Sequence, residues 1–368
     1  MSQTRQIIAL NYMFSAEDYG NRIFAPERTD GKAPGMRAFR EYIRRRGAEV
    51  VTLDTVDFND PAVSHVLYFD HSWRFARTDP FLRRVPRAKR ALVIMEPANA
   101  NPSLYYTSLL RRQFTTVFTY DQDLLRRHPE YTKINVFSGA DPMAYRSNPF
   151  QHLAFENKKL LIAVSSNRWS YMPQSSFNLR RKLYRHFDRT MPGQFDLYGG
   201  GWNAPCIGYE RWLGYPVFAA FRGGIPGGGD GKVRTMSTYR FAFCIESNAT
   251  QPGYVSEKIF DCFCARCVPI YYGWRGAGTL VPRDAFIDLR DFRRPADLEA
   301  YLRNMDAAQH ARYVQAIDRF MAGDAIRGLT TENVFRIIAD RLGLPAEPRD
   351  AGVPNPENLV NPVKNAIC

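Results

Sequence analysis

A glutamate and a lysine stand side by side at positions 257 and 258, where an extended run gives way to a helical one. The surrounding stretch, residues 239–273, reads YRFAFCIESNATQPGYVSEKIFDCFCARCVPIYYG. Phe241 to Ile245 predicts a buried strand that ends in Glu246, Ser247 and Asn248. Pro252 and Gly253 mark a turn, and Ser256 suits an N-cap. Ile259, Phe260 and Phe263 supply the apolar face of a helix, and Val268 to Tyr272 a second buried strand that stops at Gly273. Lys258 then falls in the first helical turn, where a cation opposes the macrodipole at a cost of roughly 0.3–1 kcal/mol. An anion bound at that end reverses the penalty, because helix N-termini hold phosphates readily. Glu257 and Lys258 together suit a sugar hydroxyl and a phosphate. The alternative is a surface Glu–Lys pair with no ligand.

A second candidate carboxylate is Glu96. It directly follows the predicted strand Ala91 to Met95, so it stands at a carboxyl end, where a cleft residue should lie. An ordinary loop carboxylate is the alternative. The six histidines form no ligand pairs at helical spacing, and Gly-x-Ser-x-Gly does not occur. These observations disfavour a zinc-protease site and an α/β-hydrolase, and a metal-centred transferase is not expected. Cys262, Cys264 and Cys267 crowd together, yet lack a second pair and a nearby His, and are read as buried thiols.

The elements that must position these residues alternate in a βαβ rhythm. Strands are predicted at Ile7 to Leu10, Glu49 to Leu53, His65 to Phe69, Ala91 to Met95, Thr116 to Tyr120 and Ile134 to Phe137, with helices at Met36 to Arg46 and Leu104 to Arg112. Residues 141–157 are polar and irregular and read as a linker. The rhythm restarts with strands at Leu160 to Val164 and Phe195 to Tyr198 and a helix at Phe177 to Phe187. It closes with helices at Ala296 to Met305, Ala307 to Met321 and Thr331 to Leu342. The glycine-rich Gly223 to Gly231 reads as a mobile loop, since it lacks Gly-Lys-Ser/Thr and no strand leads into it. The expected fold is α/β in the GT-B arrangement, two Rossmann-like doubly wound domains facing a central cleft. Residues 1–150 form the first, 151–345 the second, and 346–368 a tail rich in Pro and Asn.

Hydrophobic residues make up 45% of the 368 and charged residues 24%, as in a globular enzyme. The formal charge is +13, and only nine of the fifty basic residues are Lys. The basic residues are scattered and aromatic-rich RNA-binding signatures are absent, which favours a phosphate-handling or membrane-proximal enzyme over a nucleic-acid binder. No apolar run approaches the ~18–20 residues of a membrane helix. The start reads as a first strand and not a signal peptide, so the chain is expected in the cytosol.

The stretch from Tyr239 to Gly273 resembles the signature of the α1,3/1,4-fucosyltransferases, glycosyltransferase family 10. That pattern runs Tyr-Lys-Phe, Phe-Glu-Asn, Tyr-(Val/Ile)-Thr-Glu-Lys, then Val-Pro-(Ile/Val) and Gly. Its counterparts here are Tyr239-Arg240-Phe241, Ile245-Glu246-Ser247, Tyr254-Val255-Ser256-Glu257-Lys258 and Val268-Pro269-Ile270 with Gly273. The turn is one residue longer, so either Ser247 or Asn248 takes the family Asn role. Upstream, AVSSN at 163–167 and NLRRKLYRHF at 178–187 resemble the family's strand and donor-binding helix, with Arg180 as the pyrophosphate contact and Arg181 or Lys182 in neighbouring registers. A solvated basic helix face is the alternative.

The resemblance implies an inverting transfer of fucose from GDP-fucose to a glycan hydroxyl. Glu96 would be the general base. Arg180 and Lys258 would neutralise the diphosphate, Glu257 would hold the sugar, and Glu246, Asn248 and Tyr254 would line the nucleotide pocket. Asp70, His71 and Trp73 would border the acceptor side, His71 being the lesser candidate for the base. No cofactor or metal is implied, and stimulation by Mn2+ stays open. Animal relatives carry a membrane anchor; its lack here suggests a bacterial-type member building surface polysaccharide or lipopolysaccharide, in peripheral contact with an anionic membrane. Rival readings are a GT-B transferase of another nucleotide-sugar and a non-catalytic polyanion- or RNA-binding protein.

Overall fold

The computed structural model describes residues 6–12, 16–28, 33–71, 81–106, 108–137, 153–208, 210, 218–226 and 228–347. Most of the expected linker, the tail beyond residue 347 and Trp73 lie outside them. Two parallel sheets carry the chain. The first comprises β1 (Ile7–Tyr12), β2 (Glu49–Thr52), β3 (Val63–Phe69), β4 (Arg90–Ile94), β5 (Thr116–Thr119) and β6 (Thr132–Lys133), ordered β2-β1-β3-β4-β5-β6. The second comprises β7 (Lys159–Val164), β8 (Phe195–Tyr198), β9 (Tyr239–Ile245), β10 (Val268–Tyr272) and β11 (Ile287–Asp288), ordered β11-β10-β9-β7-β8. All neighbouring strands pair parallel. Counted from its own first strand, each sheet runs 2-1-3-4-5, and the first adds a sixth. That order reverses direction between β1 and β3, and again between β7 and β9. Crevices for ligands open outside the carboxyl ends at such switch points.

The helices are α1 (Ala33–Arg45), α2 (Ser103–Tyr106), α3 (Ser108–Arg111), α4 (Gln122–Arg127), α5 (Phe177–Thr190), α6 (Gly228–Ser237), α7 (Glu257–Cys264), α8 (Pro295–Asn304), α9 (Ala307–Ala322) and α10 (Thr331–Arg341). Strand β4 is enclosed along its whole length, as a parallel sheet covered on both faces requires. Cys244, Cys262, Cys264 and Cys267 form no disulfide and lie in the apolar core between the second sheet, α7 and α9. Burial pushes Cys267 up to about 12, so it carries no thiolate at neutral pH.

Three expectations change. The apolar run Ile134 to Phe137 leaves the sheet after Lys133. It buries Ile134 in the first core and Val136 against Tyr120 and Tyr254, so packing replaces strand pairing. The glycine-rich loop ends at Gly228, where α6 begins. Lys232 of α6 pairs with Asp261 of α7, and Met236 enters the core, so tertiary contacts override the low helix propensity of glycine. Helix α10, expected with the second half, packs Val334, Phe335 and Ile338 into the core of the first. Phe335 lies 5.1 Å from the Phe39 ring, and Arg46 pairs with Asp340 at 2.6 Å. No helix among the described residues is long and apolar enough to cross a membrane.

Candidate active site

Strand β9 delivers Glu246 to the crevice, and the turn after it delivers Ser256 to the tip of α7. Glu246 is fully buried, which a carboxylate tolerates only when its oxygens are satisfied. Oε1 accepts the Ser256 N–H at 2.8 Å, and Oε2 accepts the Ser256 hydroxyl at 2.7 Å and the Lys258 ammonium at 3.2 Å. Lys258 also donates to Ser256 Oγ at 2.7 Å and lies 3.5 Å from Glu257. Burial alone would push the Lys258 ammonium down, but Glu246 and Glu257 hold it well above the usual lysine range. The first anion at this helix tip is therefore a protein carboxylate. Glu246 supports the site from behind instead of lining a pocket. Lys258 and Glu257 keep 24% and 46% of their side-chain surface open, enough to meet a ligand. Burial opposes ionisation of Glu257, yet Lys258 and Lys232 keep its carboxyl below the ordinary range.

Helix α5 starts at the same end of the sheet. Its Arg180 is 95% buried, donates from Nη2 to the Ile245 carbonyl, and leaves Nε without a hydrogen-bond partner. Its charge reaches Lys258. The neighbouring Arg181 is taken up by a buried pair with Glu210 and a bond to Asn167, so it holds the fold. Lys182 instead faces a groove with Tyr272, Leu289, Arg290 and Phe292, beside the carboxyl ends of β10 and β11.

Asn248 and Tyr254 do not line an open pocket. Asn248 is fully buried, and its Oδ1 accepts the N–H groups of Thr250 and Gln251, which closes an Asx turn. The Tyr254 hydroxyl meets Ser247 Oγ at 3.1 Å, and its ring packs 5.3 Å from Tyr120 of the first half. The turn 247–254 thus reaches across the cleft and docks. Gln251 is its anchor: Nε2 donates to Asp121 Oδ2 at 2.7 Å, and Oε1 accepts the Ala98 N–H at 2.8 Å. Asn99 donates to the Ser247 carbonyl at 3.1 Å, and Gln122 N–H to that of Pro252 at 3.1 Å. Gly253 sits at φ +89°, and a Cβ there would fall 2.4 Å from the Tyr120 carbonyl oxygen. Gln251→Ala leaves one oxygen of the buried Asp121 carboxylate and the part-buried Ala98 N–H without a partner, while the Leu124 N–H still bonds the other oxygen. It is expected to cost about 1–3 kcal/mol in denaturant unfolding and to speed hydrogen exchange around Ala98.

Glu96 follows β4 on this docked surface. Its backbone N–H and that of Met95 both donate to the buried Asp70 carboxylate, at 2.8 and 2.7 Å. Its carbonyl accepts the Tyr105 hydroxyl at 2.7 Å. The side chain reaches solvent. Even so, desolvation by the cleft walls raises its pKa, Lys258 opposes that rise, and Glu257 adds to it. The two halves therefore bring Glu96 within electrostatic reach of Lys258 and Glu257.

Asp70 adopts φ 46°, a left-handed conformation fixed by Asn101 Nδ2, which donates to its carbonyl at 2.8 Å. Burial raises its carboxyl to about 7 despite the two N–H bonds. A carboxyl raised in the folded state binds more protons there than in the unfolded chain. Its contribution to stability is full below about pH 4 and is lost as pH rises toward about 7. Asp70→Asn keeps an acceptor oxygen and removes the titration. Chemical denaturation from pH 4 to 8 is expected to show a flatter stability profile than the parent. His71 is buried between Tyr68 and Phe114, at 5.2 and 6.1 Å, which is a packing role.

Sequence reasoning missed Gln251 and the bracing role of Asp70. The extra residue in the 247–254 turn was the one signal for the former; the latter left none. Among the described residues, no three His, Cys, Asp or Glu side chains are grouped to hold a metal.

Two parallel doubly wound halves meeting at the carboxyl ends of their strands define a GT-B fold. The fold is similar to a crystal structure of alpha1,3-fucosyltransferase with GDP-fucose, with a TM-score of 0.53, 14% identity and coverage of 92% of this chain and 90% of that one. It is also similar to an alpha-glucosyltransferase in complex with UDP, with a TM-score of 0.55, 10% identity and coverage of 91% and 99%. Residues 155–318 match the family described as glycosyltransferase family 10 (fucosyltransferase) C-term.

Over 85 residues the chain is 36% identical to the Homo sapiens 4-galactosyl-N-acetylglucosaminide 3-alpha-L-fucosyltransferase. The same identity over the same length holds for the Homo sapiens 3-galactosyl-N-acetylglucosaminide 4-alpha-L-fucosyltransferase. Each match covers 22% of this chain and 23% of the relative, so the chain aligns with less than a quarter of those proteins.

Proposed function

We propose that this protein transfers fucose from GDP-fucose to a hydroxyl of a glycan acceptor, in a single displacement that inverts the anomeric centre. The observation that carries the proposal is the docking of the 247–254 turn on the loop after β4, which sets the solvent-reaching Glu96 within electrostatic reach of Lys258 and Glu257. Glu96 takes the proton from the acceptor hydroxyl as that oxygen attacks the anomeric carbon. The bond to the diphosphate breaks on the opposite face. Lys258 and the unpaired Nε of Arg180 meet the charge that develops on the leaving GDP. Glu257, kept ionised, holds the sugar hydroxyls and favours the positive charge on the ring. The groove of Lys182, Tyr272, Arg290 and Phe292 suits the aromatic base and ribose of the nucleotide.

The cations present can balance the diphosphate, so transfer is expected to persist in EDTA; adding Mn2+ to the same assay reads out any stimulation. The names of the relatives make galactose and N-acetylglucosamine termini the first acceptors to offer. The net charge of +13 fits work at an anionic membrane face, in a bacterial pathway that builds surface polysaccharide or lipopolysaccharide from cytosolic GDP-fucose.

Incubation with GDP-fucose and a panel of such acceptors should add the mass of one deoxyhexose, and NMR of the product should give the inverted anomer. Turnover with UDP-glucose and none with GDP-fucose would point instead to another nucleotide-sugar.

A further inference from the structure

Four large hydrophobic side chains are exposed among the described residues, and two of them, Tyr106 and Tyr171, stand on segments that meet beside Glu96. Tyr106 (62%) and Leu109 (58%) lie on α2 and α3, and Tyr171 (89%) lies on the loop from β7 to α5. Scattered exposed apolar groups need no explanation, but a cluster at the mouth of a site does. The two sides belong together. Gln174, on the same loop as Tyr171, donates to the Tyr106 hydroxyl at 3.4 Å. Tyr105, next to Tyr106, donates to the carbonyl of Glu96. Arg168 opens the loop and is close enough for its charge to act on the Glu96 carboxylate. Trp169 braces Tyr171 edge to face, with ring centroids 3.9 Å apart, so the exposed ring is held ready instead of swinging free.

From this arrangement we propose that Tyr171, braced by Trp169, and Tyr106 form the subsite that grips the acceptor glycan, stacking the apolar faces of its sugar rings beside Glu96. This rests on the fucosyl-transfer reading and adds to it that both halves, not the first alone, read the acceptor. An oligosaccharide fits the rim better than a protein partner. The rings line the mouth of the site where an acceptor hydroxyl must arrive, and each sugar offers a C–H face to stack and hydroxyls to bond.

The test is steady-state transfer to whichever galactose- or N-acetylglucosamine-terminated oligosaccharide the parent enzyme accepts, with Tyr171→Ala and Tyr171→Phe compared. At 89% exposure neither change threatens folding. Tyr171→Ala is expected to raise the acceptor KM by about threefold to tenfold with kcat little changed, the size of one lost ring contact. Tyr171→Phe keeps the ring and should restore most of the affinity. GDP affinity by calorimetry should match the parent in both variants. An acceptor KM for Tyr171→Ala equal to the parent's overturns the subsite and leaves the transfer reading standing. A parent enzyme that binds no GDP and modifies no acceptor removes that reading, and the subsite with it.

Discussion

Glu96→Gln is expected to lower kcat/KM for transfer by about 10²–10⁴-fold, the usual contribution of a positioned general base, while GDP affinity holds. The substitution preserves shape and removes only the ability to accept a proton. The backbone N–H of residue 96 still bonds Asp70, and its carbonyl still receives the Tyr105 hydroxyl, so the loop should not move. The side chain reaches solvent, so stability should change little. The pH profile offers a second readout. Desolvation raises Glu96 above the ordinary carboxylate range, with Lys258 pulling the other way. The base works only when ionised, so the acid limb of kcat/KM should fall at a higher pH than a free glutamate would give, and should vanish in the variant. Transfer at the parent rate by Glu96→Gln rules it out as the base.

Lys258→Ala is expected to act twice. Loss of a charged contact to the diphosphate should weaken GDP binding by about 1.5–3 kcal/mol, read by calorimetry. The change also leaves Glu246 fully buried without its cation. Breaking such a pair costs roughly 3–5 kcal/mol of folding stability, and the lower end applies because Lys258 is partly exposed. The double variant Lys258→Ala/Glu246→Gln separates the two effects. Glutamine at 246 keeps an acceptor for Ser256 and carries no charge, so thermal stability should largely return. GDP affinity should not. Recovery of affinity together with stability would make Lys258 a structural ion-pair partner only.

Much of this protein is legible along the chain. Strands β4, β9 and β10 are short apolar runs, with Glu96 two residues past β4 and Glu246 directly after β9. The strand–turn–helix from Tyr239 to Cys264 is visible because a buried strand, Ser256 as cap and the spacing of Ile259, Phe260 and Phe263 agree at every level. Glu96 was legible for a related reason: in a parallel sheet the residue just past a strand end has to face the crevice. Less legible was α6, where glycine-rich sequence folds as helix because Lys232 finds Asp261 on a neighbouring helix. So was α10, whose apolar face was plain but whose partner sheet was not.

The roles within the signature divide along the same line. Residue types and spacing put Glu246, Asn248, Tyr254, Glu257 and Lys258 in one segment, since covalent neighbours share a turn whatever else the chain does. They could not say which would be turned inward. Burial is a property of what packs from elsewhere. Tyr120 and Asp121 approach from the first half, and the tip of α7 closes over Glu246. So three of the five become supports, while Glu257 and Lys258 stay open to a ligand. Strand ends and helix caps are local and were written in the sequence. The meeting of Glu96 with Lys258, about 160 residues away along the chain, depends on long-range docking that no local pattern encodes.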